Sequence, residues 1–342
     1  MQKITIKDVA RIAKVHPATV SRVMSNDTRI SEETKEKVNK IIKKYKFTPS
    51  SVARILAGGK TNTVAVITPS IFAHFAVMAM RGIETELIKT NYDYLIYSTS
   101  KFALGKFPVK DKKEFIHISE IFKKIILERK ADGVISISIN IYDQKVVDFY
   151  KKNKFPIVFI EGKEKWGHRV TVDNIEGTYL ATKYLLEKGK KRIGLVTGRI
   201  ELIESQKDRL KGYKKALQEG GKEFNKNLFY QITSHEKEES NRILEYMQKQ
   251  KVDAIMCAAG DWFATGIIKS AREKKIKIPD DIAIIGYDDL DFAGHFGLTT
   301  VKQPIIEMGQ EAFKLIMEAI KNKNIEQRHI QLKPELIKRD SA

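Results

Sequence analysis

Eight short apolar runs between residues 63 and 289 constrain this 342-residue chain more than any other feature. They are TVAVI (63–67), YDYLIYS (92–98), GVISISI (133–139), PIVFIEG (156–162), RVTVD (169–173), RIGLVTG (192–198), AIMCAA (254–259) and IAIIGYDD (282–289). Stretches of helical spacing lie between them, among them 78–89, 118–130, 177–188 and 209–219. Strands that are apolar on both faces and alternate with helices build doubly wound parallel sheets. The runs are too many for one compact sheet, so residues 62–342 read as two Rossmann-like lobes. With 42% hydrophobic residues the chain can bury the cores this requires.

The first 48 residues have a different rhythm. TIKDVARIAKVHPATVSRVMSN (5–26) reads as two short helices and a tight turn. Thr5 and Asp8 have the spacing of a capping box, and Val9, Ile12 and Ala13 give the first helix an apolar face. Pro17 suits the first position of the second helix, whose Val20 and Val23 point inward. Pro17, Ala18, Thr19, Ser21 and Arg22 are left to face outward. Small residues allow close approach to a duplex, hydroxyls bond phosphates, and arginine forks onto guanine O6 and N7. Ser31 caps a third helix with Val38, Ile41, Ile42 and Tyr45 as its inner stripe, closing near Phe47. Most lysines of that helix read as a solvated face.

Charge follows the same division. Residues 1–60 carry 14 Lys+Arg against 5 Asp+Glu, nearly half of the chain's +19, as a domain that meets a polyanion should. Cys257 is the single cysteine, which excludes an intrachain disulfide and a thiolate metal cluster. No signal-peptide core and no bilayer-length apolar run is present, so a cytoplasmic location is expected. Between the two regions, Ser50 or Ser51 can cap a helix of about two turns that Gly58 ends. Such a helix is marginal in water by itself. Gly59-Lys60-Thr61 ends like a phosphate-binding loop, but the motif's earlier glycine would fall at Arg54, so the spacing fails.

The pattern DVA-x-x-A-x-V-x-x-x-TVSRV resembles the headpiece of the LacI/GalR family of bacterial transcriptional repressors. The resemblance continues through Arg81-Gly82-Ile83-Glu84, Asp173-Asn174, Arg192-Ile193-Gly194, Gly286-Tyr287-Asp288-Asp289 and Gln303-Pro304. It implies three parts: a small all-α helix-turn-helix headpiece (1–48), a hinge helix (49–61), and an α/β core of two lobes like the periplasmic sugar-binding proteins (62–342). It implies that Leu56 wedges into the minor groove, with Thr5, Pro17, Ala18, Thr19, Ser21 and Arg22 as the other DNA-facing positions. The first lobe is expected at 62–161 plus 291–321. The second is expected at 162–290 plus the C-terminal segment, so the chain crosses between lobes three times.

By the same resemblance, Arg209 and Asp288 grip an effector between the lobes. Phe72, Phe75 and Trp262 supply apolar faces, and Glu161, Asp261 and Gln303 complete the candidate set. An Arg fork beside a carboxylate bonds adjacent hydroxyls, which makes a carbohydrate the first choice. This sequence departs from the family at four places. Lys14 replaces a turn glycine, His16 replaces a capping serine, Ala73-His74 stands for Asn-Pro, and Gly260-Asp261 stands for Asn-Asp. The lost asparagine keeps a nucleobase or a phosphorylated sugar open as effector. Residues 101–112 read as an insertion and a solvated loop.

No hydrolase triad, metal-spaced histidine cluster or nucleotide fingerprint occurs. The acidic run Tyr287-Asp288-Asp289-Leu290-Asp291 could serve an enzyme, but no partnering Lys, His or second acidic cluster accompanies it. A strand's C-terminal end is also where α/β sheets bind ligands. The expectation is therefore a repressor of double-stranded operator DNA, acting as a homodimer, with a small-molecule effector and no catalytic residue, metal or cofactor. A phosphoprotein coregulator, an enzyme and a sugar-transport protein are the alternatives, the last of which should carry an export signal.

Overall fold

The computed structural model describes residues 4–24, 27–45, 47, 60–99, 112–141, 143–201, 203–234, 236 and 238–342, with side chains from residue 117 onward in the segment that begins at 112. The chain forms two compact units, 1–61 and 62–342.

The first unit holds α1 (Ile6–Ala13), α2 (Pro17–Met24) and α3 (Glu32–Lys44). Thr5 and Asp8 form the expected capping box, with Asp8 N–H donating to Thr5 Oγ1 at 3.3 Å and Thr5 N–H to Asp8 Oδ2 at 3.0 Å. Burial turns α1 toward Ala10: Val9, Ala10 and Ala13 are enclosed, while Ile12 is 41% exposed. At 100° per residue the buried arc centres between Val9 and Ala10, which puts Ile12 on its rim. Val20, Val23, Val38 and Phe47 complete this core. Tyr45, expected inside, is exposed as the C-cap residue of α3.

The second unit contains β1 (Thr63–Thr68), α4 (His74–Leu87), β2 (Asp93–Ser98), α5 (Lys112–Leu127), β3 (Gly133–Ile137), α6 (Gln144–Lys152), β4 (Ile157–Ile160) and β5 (His168–Val172). There follow α7 (Asn174–Glu187), β6 (Ile193–Thr197), α8 (Glu204–Glu219), β7 (Phe229–Gln231), α9 (Glu238–Lys249), β8 (Ala254–Cys257), α10 (Asp261–Glu273) and β9 (Ala283–Asp288). The chain ends with β10 (Thr299–Lys302), α11 (Ile305–Lys321), β11 (His329–Leu332) and β12 (Glu335–Ile337).

Two six-stranded sheets result, ordered β11-β5-β4-β3-β1-β2 and β12-β10-β9-β8-β6-β7. Every neighbouring pair is parallel except β10 with β12. Burial on both faces explains the apolar runs: β1, β3, β4, β6 and β8 are enclosed along nearly their whole length.

The lobes are divided differently from the expectation. β5 pairs with β4, Ile160 opposite Val170, and so belongs to the first lobe rather than the second. The second lobe begins at α7 and keeps β10, which pairs with β9. α11 and β11 return to the first lobe, and β12 goes back to the second. The crossings thus fall at 173, 303–304 and 333–334. They number three, as the sequence suggested.

α11 lies against α4 at contact distance through two glycines. A Cβ at Gly82 would sit 1.9 Å from Ile306 O, and one at Gly309 would sit 2.1 Å from Ala79 O. Both lie on the same helix pair, which locks the returning helix onto the first lobe. Among the described residues no helix is long and apolar enough to cross a membrane.

Candidate functional site

Recognition chemistry in the first unit starts from the turn between α1 and α2. Lys14 takes the left-handed conformation (φ 54°, ψ 45°) in place of the family's glycine, so the turn survives the substitution. His16 stands in for the missing serine: its Nδ1 accepts from Ala18 N–H at 3.2 Å and satisfies a free donor at the start of α2. Val20 and Val23 anchor α2 inward. Ala18, Ser21 and Arg22 are exposed, Pro17 and Thr19 half-exposed, and together they form the outer face expected of them. Thr5 is committed to its cap, its hydroxyl lying 2.6 Å from Asp8 Oδ2. Leu56 and the hinge segment around it lie outside the described residues.

In the second unit, the C-terminal ends of strands from both lobes face each other across the three crossings. Asn174, at the first crossing, ties them together. Its Nδ2 donates to Glu161 Oε2 at 2.8 Å, and its Oδ1 accepts from Arg209 Nε at 2.8 Å and Tyr287 Oη–H at 3.3 Å. Glu161 also accepts from Val172 N–H at 2.7 Å, and its burial raises its pKa. Arg209 lies 3.7 Å above the Tyr287 ring and donates from Nη1 to Ala258 O at 2.6 Å. Arg209 is only 5% exposed, enclosed by these three contacts.

Asp288 completes the group. Its Oδ1 accepts from Gln303 Nε2 at 2.5 Å, and the buried Gln303 Oε1 has no hydrogen-bond partner among the described residues. Burial pushes the Asp288 carboxyl up to about 6, against the opposing pull of Arg209 and Gln303. Gly260 stands beside it with φ 120°, and a Cβ there would come within 3.0 Å of Asp288 Oδ2. An asparagine at this place would therefore crowd the carboxylate.

The site departs from the expected set at several positions. Asp261 does not face the cleft: it is fully enclosed, with Oδ1 accepting from Thr300 Oγ1 at 2.6 Å and Oδ2 from Leu290 N–H at 2.8 Å. It fastens β10 and the turn after β9 to the start of α10. Burial and the nearby Asp288 charge lift its pKa to about 8. Phe75 packs against the first-lobe core, so only part of its ring is accessible. Phe72 is 80% exposed in the turn after β1. Trp262, half-exposed, meets His74 of the other lobe with ring centroids 5.5 Å apart, and His74 meets Phe292 at the same distance. Arg81 and Asp291 add a cross-lobe ion pair at 2.8 Å.

Sequence reading assigns no binding role to four of the participants: His74, Asn174, Tyr287 and Phe292. A signal for Asn174 and Tyr287 exists, because both sit in segments that match the family.

Comparison with known proteins bears on family and fold. The model for bacterial regulatory proteins of the lacI family matches residues 5–50, and that for the periplasmic binding protein-like domain matches residues 182–342. The HTH-type transcriptional regulator RegA of Clostridium saccharobutylicum is 31% identical over 343 residues, covering 99% of each chain. A LacI family transcriptional regulator from Enterococcus faecium, solved with bound ribose, is 25% identical with a TM-score of 0.68, over 82% of this chain and 98% of that one. The lac repressor dimer bound to operator and an anti-inducer superposes with a TM-score of 0.82 at 20% identity, over 99% of both chains.

Proposed function

Since the chain belongs to the LacI family and is a DNA-binding transcriptional regulator, we propose that it is a cytoplasmic repressor whose grip on its operator is set by a small polyol, most simply a sugar, bound between the two lobes. The observation that carries this reading is the juxtaposition of Arg209, Asp288 and Gln303 at the crossings. Arg209 offers donors, Asp288 offers acceptors, and the unpaired Gln303 Oε1 waits for a donor. A hydroxyl both gives and takes a hydrogen bond, so vicinal hydroxyls satisfy all three. The ribose-bound relative supports a sugar of this size.

Repression follows from the connections. Three crossings let the lobes rotate, and a ligand that binds one arrangement better shifts the population toward it. In a homodimer, lobe rotation alters the spacing of two headpieces, and twofold protein symmetry matches a palindromic operator. Arg22 reads a base edge, Thr19 and Ser21 hold phosphates, and Leu56 wedges the minor groove.

The flat faces of His74 and Trp262 favour a second ligand class, a nucleobase. A thermal-shift screen should include ribose, cellobiose, guanine and hypoxanthine. A ligand at 100 times its Kd stabilises by about 2.7 kcal/mol. Calorimetry on the hit should then show binding weakened at least about tenfold by Arg209→Ala and by Asp288→Ala, the loss of about one charge-assisted hydrogen bond. Unchanged affinity in both variants would sink the assignment of this site.

A further inference from the structure

A cavity lies at the end of the first lobe where its strands begin, away from the interlobe group. It is an open bowl of about 430 Å³, framed by the end of α6, the turn into β4, the connection between β4 and β5, and the chain just beyond α11. This is within the size range of small-molecule sites. No residue of it belongs to the interlobe group described above.

Its composition is one-sided. The inner wall is aromatic: Tyr150 packs edge-on against Phe155 at 5.5 Å and against Trp166 at 6.1 Å. Trp166 is fixed from a third side by Phe159 at 5.4 Å and donates its ring N–H to Glu164 at 2.8 Å. The rim carries Lys151, Lys154 and Lys323, and the described lining contains no carboxylate. Lys151 sits in the last turn of α6, where an amine also complements the helix dipole. That role does not account for Lys154 or Lys323, which lie past the ends of their helices. Lys154 is steadied by Asn324 Oδ1 at 2.7 Å. His168, which also lines it, accepts Arg328 N–H on Nδ1 at 3.1 Å, which leaves the proton of the neutral ring on Nε2. Rings held edge to face below and a rim of amines above suit a ligand with a flat apolar body and an anionic end.

We propose that this bowl is a second ligand site, for a small organic anion with a flat apolar face, such as an aryl phosphate. The ring lies against Trp166 and Phe155, and the anion meets the amines of Lys151, Lys154 and Lys323. The chain then answers to two small molecules, a neutral one between the lobes and an anionic one here.

The chain's two tryptophans provide the test, because Trp262 lies at the interlobe cleft and Trp166 in the bowl. Full-length Trp262→Phe, shown by circular dichroism to be folded, has Trp166 as its single reporter. Titration with phenyl phosphate should give a saturable fluorescence change. It should weaken at least tenfold in Lys151→Gln/Lys323→Gln on the same background and persist in Arg209→Ala. Inorganic phosphate should bind at least tenfold more weakly than phenyl phosphate. The proposal is overturned by a non-saturating response, by one that survives loss of both lysines, or by one that Arg209→Ala removes. Equal binding of inorganic phosphate would overturn the flat-faced part of it. Because the interlobe variant is a separate arm, failure here leaves the effector assignment between the lobes standing, and the reverse.

Discussion

Asp261 and Asp288 flank Gly260, and burial raises both of their pKa values, to about 8 and about 6. A carboxyl whose pKa rises on folding supports the fold while protonated, and that support is lost as pH climbs through the raised value. The contribution of these two carboxyls should therefore fall between pH 4 and 8, with Asp261 accounting for most of the loss above pH 6, where the opposite slope from His168 and His329, whose pKa values burial lowers, is nearly complete. A tenfold weakening of a carboxyl's acidity on folding corresponds to about 1.4 kcal/mol at most. Asp261→Asn keeps partners for Thr300 and Leu290 but cannot ionise. Its melting temperature should stay level from pH 6 to 8.5 while the parent's declines, and parallel curves would refute the assignment. The same residue shows where sequence reading reaches its limit. The resemblance points to Arg209, Asp288 and Gln303, which the fold does bring together. It cannot say which way the first residue of α10 turns, and Asp261 turns inward because Thr300 and Leu290 N–H offer it two donors. Asn174 is legible as a matching residue but not as a hub, since its four partners are scattered over more than 120 positions.

At the scale of elements, α2 and the α4–α11 pair make contrasting demands. α2 is eight residues long and owes its start to His16. His16→Ala should remove about 1 kcal/mol from the first unit. Hydrogen exchange at the first amides of α2 should speed up about fivefold, and unchanged rates would show the cap to be idle. The α4–α11 contact tolerates no side chain at its centre. Gly82→Ala drives a methyl group into Ile306 O and should cost about 1–3 kcal/mol in urea unfolding of the full chain. A silent Gly82→Ala would mean that the two helices separate freely. Apolar runs and capping residues make most strands and the headpiece helices readable. Lobe membership is not readable for β5, because a seven-residue link without a helix joins two parallel strands that the bounds drawn from the resemblance place in different lobes. β11 and β12, short and half-exposed, carry too little apolar signal to be seen in sequence.

As a whole, the molecule joins a unit that presents α2 outward to a two-lobed unit whose crossings converge on one polar cluster. Contacts between the lobes at His74, Trp262 and Phe292, and between Arg81 and Asp291, set the arrangement that an effector must favour or oppose. None of this matters to the cell unless the first unit reads a particular sequence. Base reading separates a regulator from a merely basic protein, and the electrostatic part of binding is shared by any duplex. The decisive measurement is therefore the affinity of the full chain for a duplex selected from a random pool, set against a scrambled duplex of equal length at one salt concentration. The expected result is a palindromic site bound by two chains, preferred at least about a thousandfold, with Arg22→Ala losing about 1–3 kcal/mol per half-site on that site and little on the scrambled one. Equal affinity for the two duplexes, or an equal loss on both in Arg22→Ala, would contradict sequence reading by α2.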